Sequence, residues 1–405
     1  MKKYKLGELI EISRGASLSG ECYATKGEYI RLTCGNFDYR NNCFKENTSK
    51  DNLYYVGEFK PEFLLEEGDI ITPLTEQAIG LLGSTALIPE SGKYIQSQDV
   101  AKVTCNEELL DKKYAFYLLS SDIVKQQLSA GAQQTKIRHT SPDKIKDCTV
   151  WIPNLDVQKR VGQLLSDIDA KIALNRAVNH NLETMAKQLY DYWFVQFDFP
   201  DENGKPYKSS GGQMVWNEKL KREIPGGWKV TNIGSILDKV FITPRLSTDE
   251  YLPSGTYPII DQATDVYYAG FTEREEAVVN QYPAIVFGDH SCAVKYVNFP
   301  FVRGADGTQV ILSKDSNIPI EYLYYALKGV KIGKGYARHF SFLKEQPVIV
   351  PSEKEVKDFE DTAQTFFEQI TRNRKEILSL TKQRDELLPL LMNGQVSLNY
   401  DLPHD

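Results

Sequence analysis

A repeat of 198 residues constrains this chain more than any other feature. Val161, Leu165, Ile168, Ile172, Asn175, Asn179, Leu182, Ala186, Leu189 and Trp193 follow one another at alternating steps of four and three. That is the seam of a helix packed along another helix. Moving on by 198 (359 minus 161) gives Phe359, Ala363, Phe366, Ile370, Asn373, Ile377, Leu380, Arg384, Leu387 and Leu391, with the same steps and mostly the same apolar character. Both series follow a branched residue and a proline, Ile152-Pro153 and Val350-Pro351, and both carry Asn-Arg mid-way, Asn175-Arg176 and Asn373-Arg374. Proline suits a helix start, where its missing N–H would be unpaired anyway. Each helix then runs roughly 40 residues, about 60 Å at 1.5 Å per residue. That is longer than an ordinary globular helix, and a rod of this kind cannot hide its apolar stripe alone. The simplest partner for each rod is the other. An asparagine on such a seam costs stability and fixes register. The simpler reading, two unrelated surface helices, does not explain the matched starts and phase.

The rest of the composition narrows the function. A chain of 405 residues suits two to three domains. It has no run of ~18 apolar residues and so no expected membrane span. Its N-terminus, Met1-Lys2-Lys3-Tyr4-Lys5, leads into no apolar signal region. The six cysteines form no Cys-x-x-Cys pair, so neither a zinc site nor a disulfide framework is expected and a cytoplasmic location is. A net charge of −7 argues against a free-standing nucleic-acid binder. It allows one with a local basic face, or one that works inside a larger assembly.

In chain order the plan is head, rod, connector, head, rod. Residues 1–152 form the first head, 153–198 the first rod, 199–228 a mostly irregular connector, 229–350 the second head, 351–392 the second rod and 393–405 a tail. In the first head, Tyr29–Leu32, Gly68–Thr72 and Asp99–Val103 alternate like strands. Thr85–Pro89 and Tyr94–Ile95 suggest a hairpin, and Lys112–Leu128 a helix. The second head echoes the first. Asn232–Asp238 parallels Lys5–Glu11, Ala284–Gly288 parallels Asp69–Thr72, Tyr322–Leu327 parallels Tyr114–Leu119, and Pro347–Val350 parallels Thr149–Ile152. The expected fold class is α+β: two mixed α/β heads alternating with two long helices that pair as an antiparallel coiled coil.

Signatures of catalysis are missing. Gly329-Val330-Lys331-Ile332-Gly333-Lys334 is too short for a phosphate loop and lacks its Ser/Thr. Asp289-His290-Ser291 puts triad letters side by side, where they cannot form a triad, and reads as a loop. Five histidines without ligand spacing make a metal site improbable. Recognition chemistry is present instead. Gly131–His139 contains Gln134, Lys136, Arg138 and His139; its counterpart, Lys331–His339, contains Lys334, Tyr336 and Arg338. Lys and Arg clamp phosphates, Arg reads guanine and Gln reads adenine. A solvated surface loop is the alternative for each alone; finding both at matching places favours recognition. Arg31, Asn36 and Arg40 in the first head, and Arg245, Gln262, Lys295, Arg303 and Gln309 in the second, are further candidates, though each taken singly reads better as a surface or turn residue.

The plan resembles the specificity subunit of type I restriction–modification systems, over essentially the whole chain. The resemblance is carried by Leu189–Phe199 leading through Ser209-Ser210-Gly211-Gly212 to Ile224–Trp228, by Val150-Trp151-Ile152-Pro153 with Gln158-Lys159, and by Leu387–Val396. It implies that each head is a target-recognition domain reading half of a split double-stranded DNA target. It also implies two methyltransferase subunits carrying S-adenosylmethionine, restriction subunits using ATP and Mg, and no cofactor on this chain, which would itself catalyse nothing. Ser352–Val356 departs from the pattern, lacking the Gln-Lys of the first rod's start. A reading from another class stays open here: a two-headed coiled-coil scaffold that grips protein partners and ignores DNA.

Overall fold

In the computed structural model the repeat of the sequence becomes a repeat of topology. The structure describes residues 1–76, 80–130, 138–238, 243–315, 317–333 and 339–396. Two compact units emerge, Met1–Ala173 with Ile377–Asp405, and Leu174–Glu376. The division cuts both long helices, Leu155–Tyr190 and Glu353–Met392, so each unit contains one head and a piece of each rod.

In the first unit Lys2–Lys5 pairs antiparallel with Thr149–Ile152, closing the head where the rod begins. A four-stranded antiparallel sheet follows the order Ala86–Leu87, Ile70–Pro73, Val100–Cys105, Ile10–Arg14. A second sheet contains one parallel pair, Tyr94–Ile95 beside Tyr29–Arg31. In the second unit Lys229–Asn232 pairs antiparallel with Pro347–Val350. Its four-stranded antiparallel sheet runs Val294–Val297, Ala284–Gly288, Thr308–Ser313, Leu237–Asp238, the same order. Its second sheet again holds one parallel pair, Tyr257–Ile260 beside Phe301–Arg303. Ile70–Pro73 and Ala284–Gly288 are buried throughout, so the strand in Gly68–Thr72 does not show the alternation of burial that its sequence suggests. Small details repeat as well. A Cβ on Gly7 would lie 3.1 Å from Lys146 Cβ, and one on Gly234 3.0 Å from Lys344 Cβ, so both glycines let a short helix close down on the head's first turn.

Three expectations are corrected. Lys112–Leu128 is two helices, Lys112–Leu119 and Asp122–Ala130. Ser120 and Ser121 divide them, their hydroxyls donating to the Phe116 and Leu118 carbonyls at 3.2 and 2.7 Å and so competing with the helical ladder. Thr85–Ile95 is not a hairpin. Ala86 and Tyr94 share one core with Leu65 and Ile71, but their strands pair in different sheets. The connector is ordered: Met214–Asn217 and Arg222–Pro225 form an antiparallel hairpin. Phe199 stacks on both Tyr207 and Trp228, with ring centroids 4.6 and 5.0 Å apart. Turn-forming residues suggested irregularity, and buried aromatics override them.

Every seam position of both long helices is buried or half-buried. In the first unit Val161 and Leu165 share a core with Leu391 and Met392. In the second, Asn373 Nδ2 donates to Asn179 Oδ1 at 2.8 Å, and Asn175 Nδ2 to Glu376 Oε2 at 2.8 Å. The first long helix ends in a π-helical turn, Asp191–Val195, which sets Trp193 and Phe194 into the core of the second unit. Among the described residues no helix is long and apolar enough to cross a membrane.

Candidate nucleic-acid interface

In each head the central buried strand runs into a turn, and the far end of the polar loop is tied to that turn. In the first head Arg138–His139 pairs with Thr75–Glu76, just past Ile70–Pro73, and Thr140 N donates to Leu74 O at 2.9 Å. His139 Nδ1 lies 3.4 Å from Thr75 Oγ1, and that hydroxyl donates to Asp99 Oδ1 at 3.3 Å. In the second head the turn is Asp289, just past Ala284–Gly288. His339 N donates to Asp289 O at 3.0 Å, and Phe340 N to Asp289 Oδ1 at 2.8 Å. The buried Asp289 thereby occupies two N–H groups at the start of the short helix His339–Glu345. The two polar loops are therefore hung from equivalent points of equivalent sheets.

Other polar groups collect near Asp289 in the second head. Gln262 Nε2 donates to Asp306 O at 2.7 Å, while its Oε1 accepts from His290 N at 3.2 Å. Arg245 pairs with Asp306. Arg303 Nη2 donates to Thr243 O at 2.8 Å, and its Nε has no partner. Burial, and then the neighbouring Arg245 charge, lower the Arg303 pKa. Gly307, at φ +80°, makes the turn against His290, where a Cβ would come within 2.7 Å of the imidazole. An amide, an imidazole and two guanidinium groups thus share one turn-rich edge, a chemistry suited to phosphates and base edges.

Family comparison follows the same division of the chain. The family model described as type I restriction modification DNA specificity domain matches residues 1–184 and 225–382. The chain is a type I specificity subunit. The MjaIX specificity subunit of Methanocaldococcus jannaschii is 23% identical over 310 residues, which span 70% of this chain and 69% of that protein. The HindI specificity subunit of Haemophilus influenzae is 22% identical over 375 residues, 75% and 81% of the two chains. Among solved structures, the type I S subunit from M. genitalium superposes with a TM-score of 0.60 at 18% identity, covering 96% of each chain, a likeness of fold.

The specificity subunit keeps few of its sequence-nominated residues on one surface. Gln134, Lys136, Lys334, Tyr336 and Arg338 lie outside the described residues, and Arg138 is described in its backbone only. His139 is exposed, His339 is buried and Lys331 is exposed. Arg31 lies inside the first head rather than on its surface, its guanidinium 3.8 Å over the Tyr23 ring and its Nη2 donating to Asn52 O at 3.2 Å. Asn36 is likewise internal: Oδ1 accepts from Thr33 N at 2.9 Å, and Nδ2 donates to Lys45 O at 3.3 Å. Lys295 donates to Val266 O at 2.8 Å, and burial lowers its pKa. Arg40 is exposed and Gln309 half-buried. Gln262, Arg245 and Arg303 do come together. Sequence reasoning missed Asp289 as an anchor; its signal was the turn composition Gly288-Asp289-His290-Ser291, read only as a loop.

Proposed function

We propose that this specificity subunit reads a bipartite, asymmetric double-stranded DNA target, one half per head, and positions modification and restriction subunits on it. One observation carries the reading: two heads of one topology each anchor, at the same structural point, the residues that follow a Lys/Arg-bearing segment of different sequence. Shared topology suits a shared task, and different residues suit different base sequences. In the first head the reading residues are Gln134, Lys136, Arg138 and His139. In the second they are Lys331, Lys334, Tyr336 and Arg338, with the buried His339 anchoring the end of the segment, Arg303 adding charge to the same head and Arg31 bracing the first head.

The two long helices pair antiparallel along their length as a strut. The contacts within each unit support this, since early residues of the first helix meet late residues of the second and the reverse. A strut with two related readers fits half-sites about one DNA turn apart, roughly 34 Å, leaving a gap that is not read. Two methyltransferase subunits and the restriction subunits supply the chemistry, with S-adenosylmethionine, ATP and Mg bound to them. This chain supplies recognition alone. Net acidity is tolerable if those partners take much of the phosphate contact.

Charge reversal at Lys136, Arg138, Lys334 and Arg338 tests the reading. Specific duplex binding by the assembled complex is expected to fall by at least about a hundredfold, since several phosphate and base contacts are lost together, while assembly with partner subunits persists. Loss of assembly with intact DNA binding would overturn it in favour of a protein scaffold.

A further inference from the structure

The second unit contains a cleft of about 540 Å³ that meets the recognition segment only at Lys331. Its walls come from the end of the first long helix, the connector hairpin, the end of helix Ile320–Lys328 and Gln346–Ile349. The volume suits a small ligand. Tyr190, Phe194 and Tyr322 form an aromatic wall, with Phe194 and Tyr322 4.8 Å apart. The charge is one-sided. Among the described residues Lys187, Arg222, Lys328 and Lys331 line the cleft, against a single carboxylate, Asp191, which is already bonded to Lys187. A protein of net charge −7 thus concentrates cations here.

Arg222 is the centre of the argument. Its guanidinium stacks 4.6 Å over the Phe197 ring, which holds it in place. Its Nε is buried with no hydrogen-bond partner, and among the described residues no carboxylate forms an ion pair with it. Burial lowers its pKa and the neighbouring Tyr190 and Tyr322 partly offset this, so the charge has lost part of its water. A positioned, half-buried guanidinium with no carboxylate partner among the described residues fits a planar, bidentate oxyanion. Lys328, which donates to Tyr324 Oη at 3.1 Å, and the exposed Lys331 supply further charge at the rim. They also offset the partial negative charge of the helix end there. The excess of cations favours a doubly charged anion over a single carboxylate.

We propose that this cleft is a phosphate-binding site centred on Arg222. The phosphate comes either from a free phosphate compound or from the backbone of bound DNA; the second source rests on the DNA-reading function proposed above. The test uses the full chain with inorganic phosphate as probe, by calorimetric titration without DNA. Saturable one-to-one binding is expected, weakened about tenfold or more by Arg222→Gln, partly kept by Arg222→Lys, and weakened less by Lys331→Gln. Thermal melts of the same variants separate lost binding from lost folding, and exposed Lys331 leaves the core untouched.

A second arm measures duplex binding against salt. If the source is the DNA backbone, Arg222→Gln lowers the salt slope by about one; if it is a free compound, the slope stays and phosphate binding alone is lost. Either result supports the site. Phosphate binding with no duplex binding would remove the DNA function and leave the site standing. Absence of saturable phosphate binding together with an unchanged salt slope would overturn the proposal, as would wild-type phosphate affinity in a folded Arg222→Gln chain.

Discussion

The two heads attach to the long helices at equivalent places by unlike physics. In the first unit a polar network is added to an apolar core in which Tyr114 and Leu118 meet Val161 and Leu165. Tyr117 Oη donates to Asp169 Oδ2 at 2.7 Å, and Arg384 Nη1 donates to Asp169 Oδ1 at 2.8 Å. The buried Gln158 takes Asp111 N at 3.0 Å and donates to the Leu109 and Pro153 carbonyls at 3.0 and 2.9 Å. In the second unit the joint is aromatic. Tyr190 lies 5.6 Å from Tyr322 and 5.5 Å from Tyr325, Phe194 lies 5.1 Å from Phe359, and Phe367 stacks 4.0 Å from Tyr296. Val356, the repeat partner of Gln158 (158 plus 198), is buried in that apolar core. At the matching place only the glutamine is missing, since 159 plus 198 is Lys357: Gln158 works inward, and the aromatic joint holds Val356 in its stead. A duplicated frame fixes where a head is joined, and each copy has its own way of holding it.

The largest effect belongs to the aromatic joint. Phe359→Ala removes a fully buried ring and is expected to cost about 3–5 kcal/mol. Hydrogen exchange should accelerate within residues 229–350 and leave residues 1–152 protected; equal acceleration in both would erase the distinction. Arg384→Ala comes next. It strips the cation from a half-buried Asp169, at about 1–3 kcal/mol once solvent screening is allowed for. Its cost should shrink in high salt, whereas that of Phe359→Ala should not. A salt-independent loss would make the polar joint a packing joint.

The smallest effect has the opposite sign. Burial raises the pKa of Glu321, which accepts from Tyr296 Oη at 2.5 Å, with Glu360 and Glu368 adding to the rise. The folded state then holds this proton more tightly than the unfolded one. The resulting stability is full below the ordinary carboxyl range and is lost as pH rises through the raised value. Glu321→Gln should therefore gain about 1 kcal/mol at neutral pH and flatten the melting temperature between pH 5 and 8. A parallel shift at every pH would sink the assignment.

How far the sequence foretold all this depends on the kind of feature. Long periodic patterns carried well: the seam residues from Val161 to Leu391 are the buried stripe. The paired segments of the two heads occupy matching strands and helices, because buried elements must stay apolar whatever the loops do. Short polar positions carried poorly. Arg31 and Asn36 read as surface groups, yet they serve the interior, since a lone polar letter does not reveal which way it turns. Arg222 was invisible because its meaning lies in what it lacks, a counter-ion, and that needs three dimensions. The aromatic order of the connector was hidden behind Pro200, Gly204 and Pro206.

Exchanging residues 1–152 for the first head of another specificity subunit, and mapping methylated bases across a genome that supplies the modification subunits, tests the central claim most directly. The account predicts that one half of the methylated motif changes while the other half and the gap between them stay as they were. A change in both halves, or in neither, would contradict it.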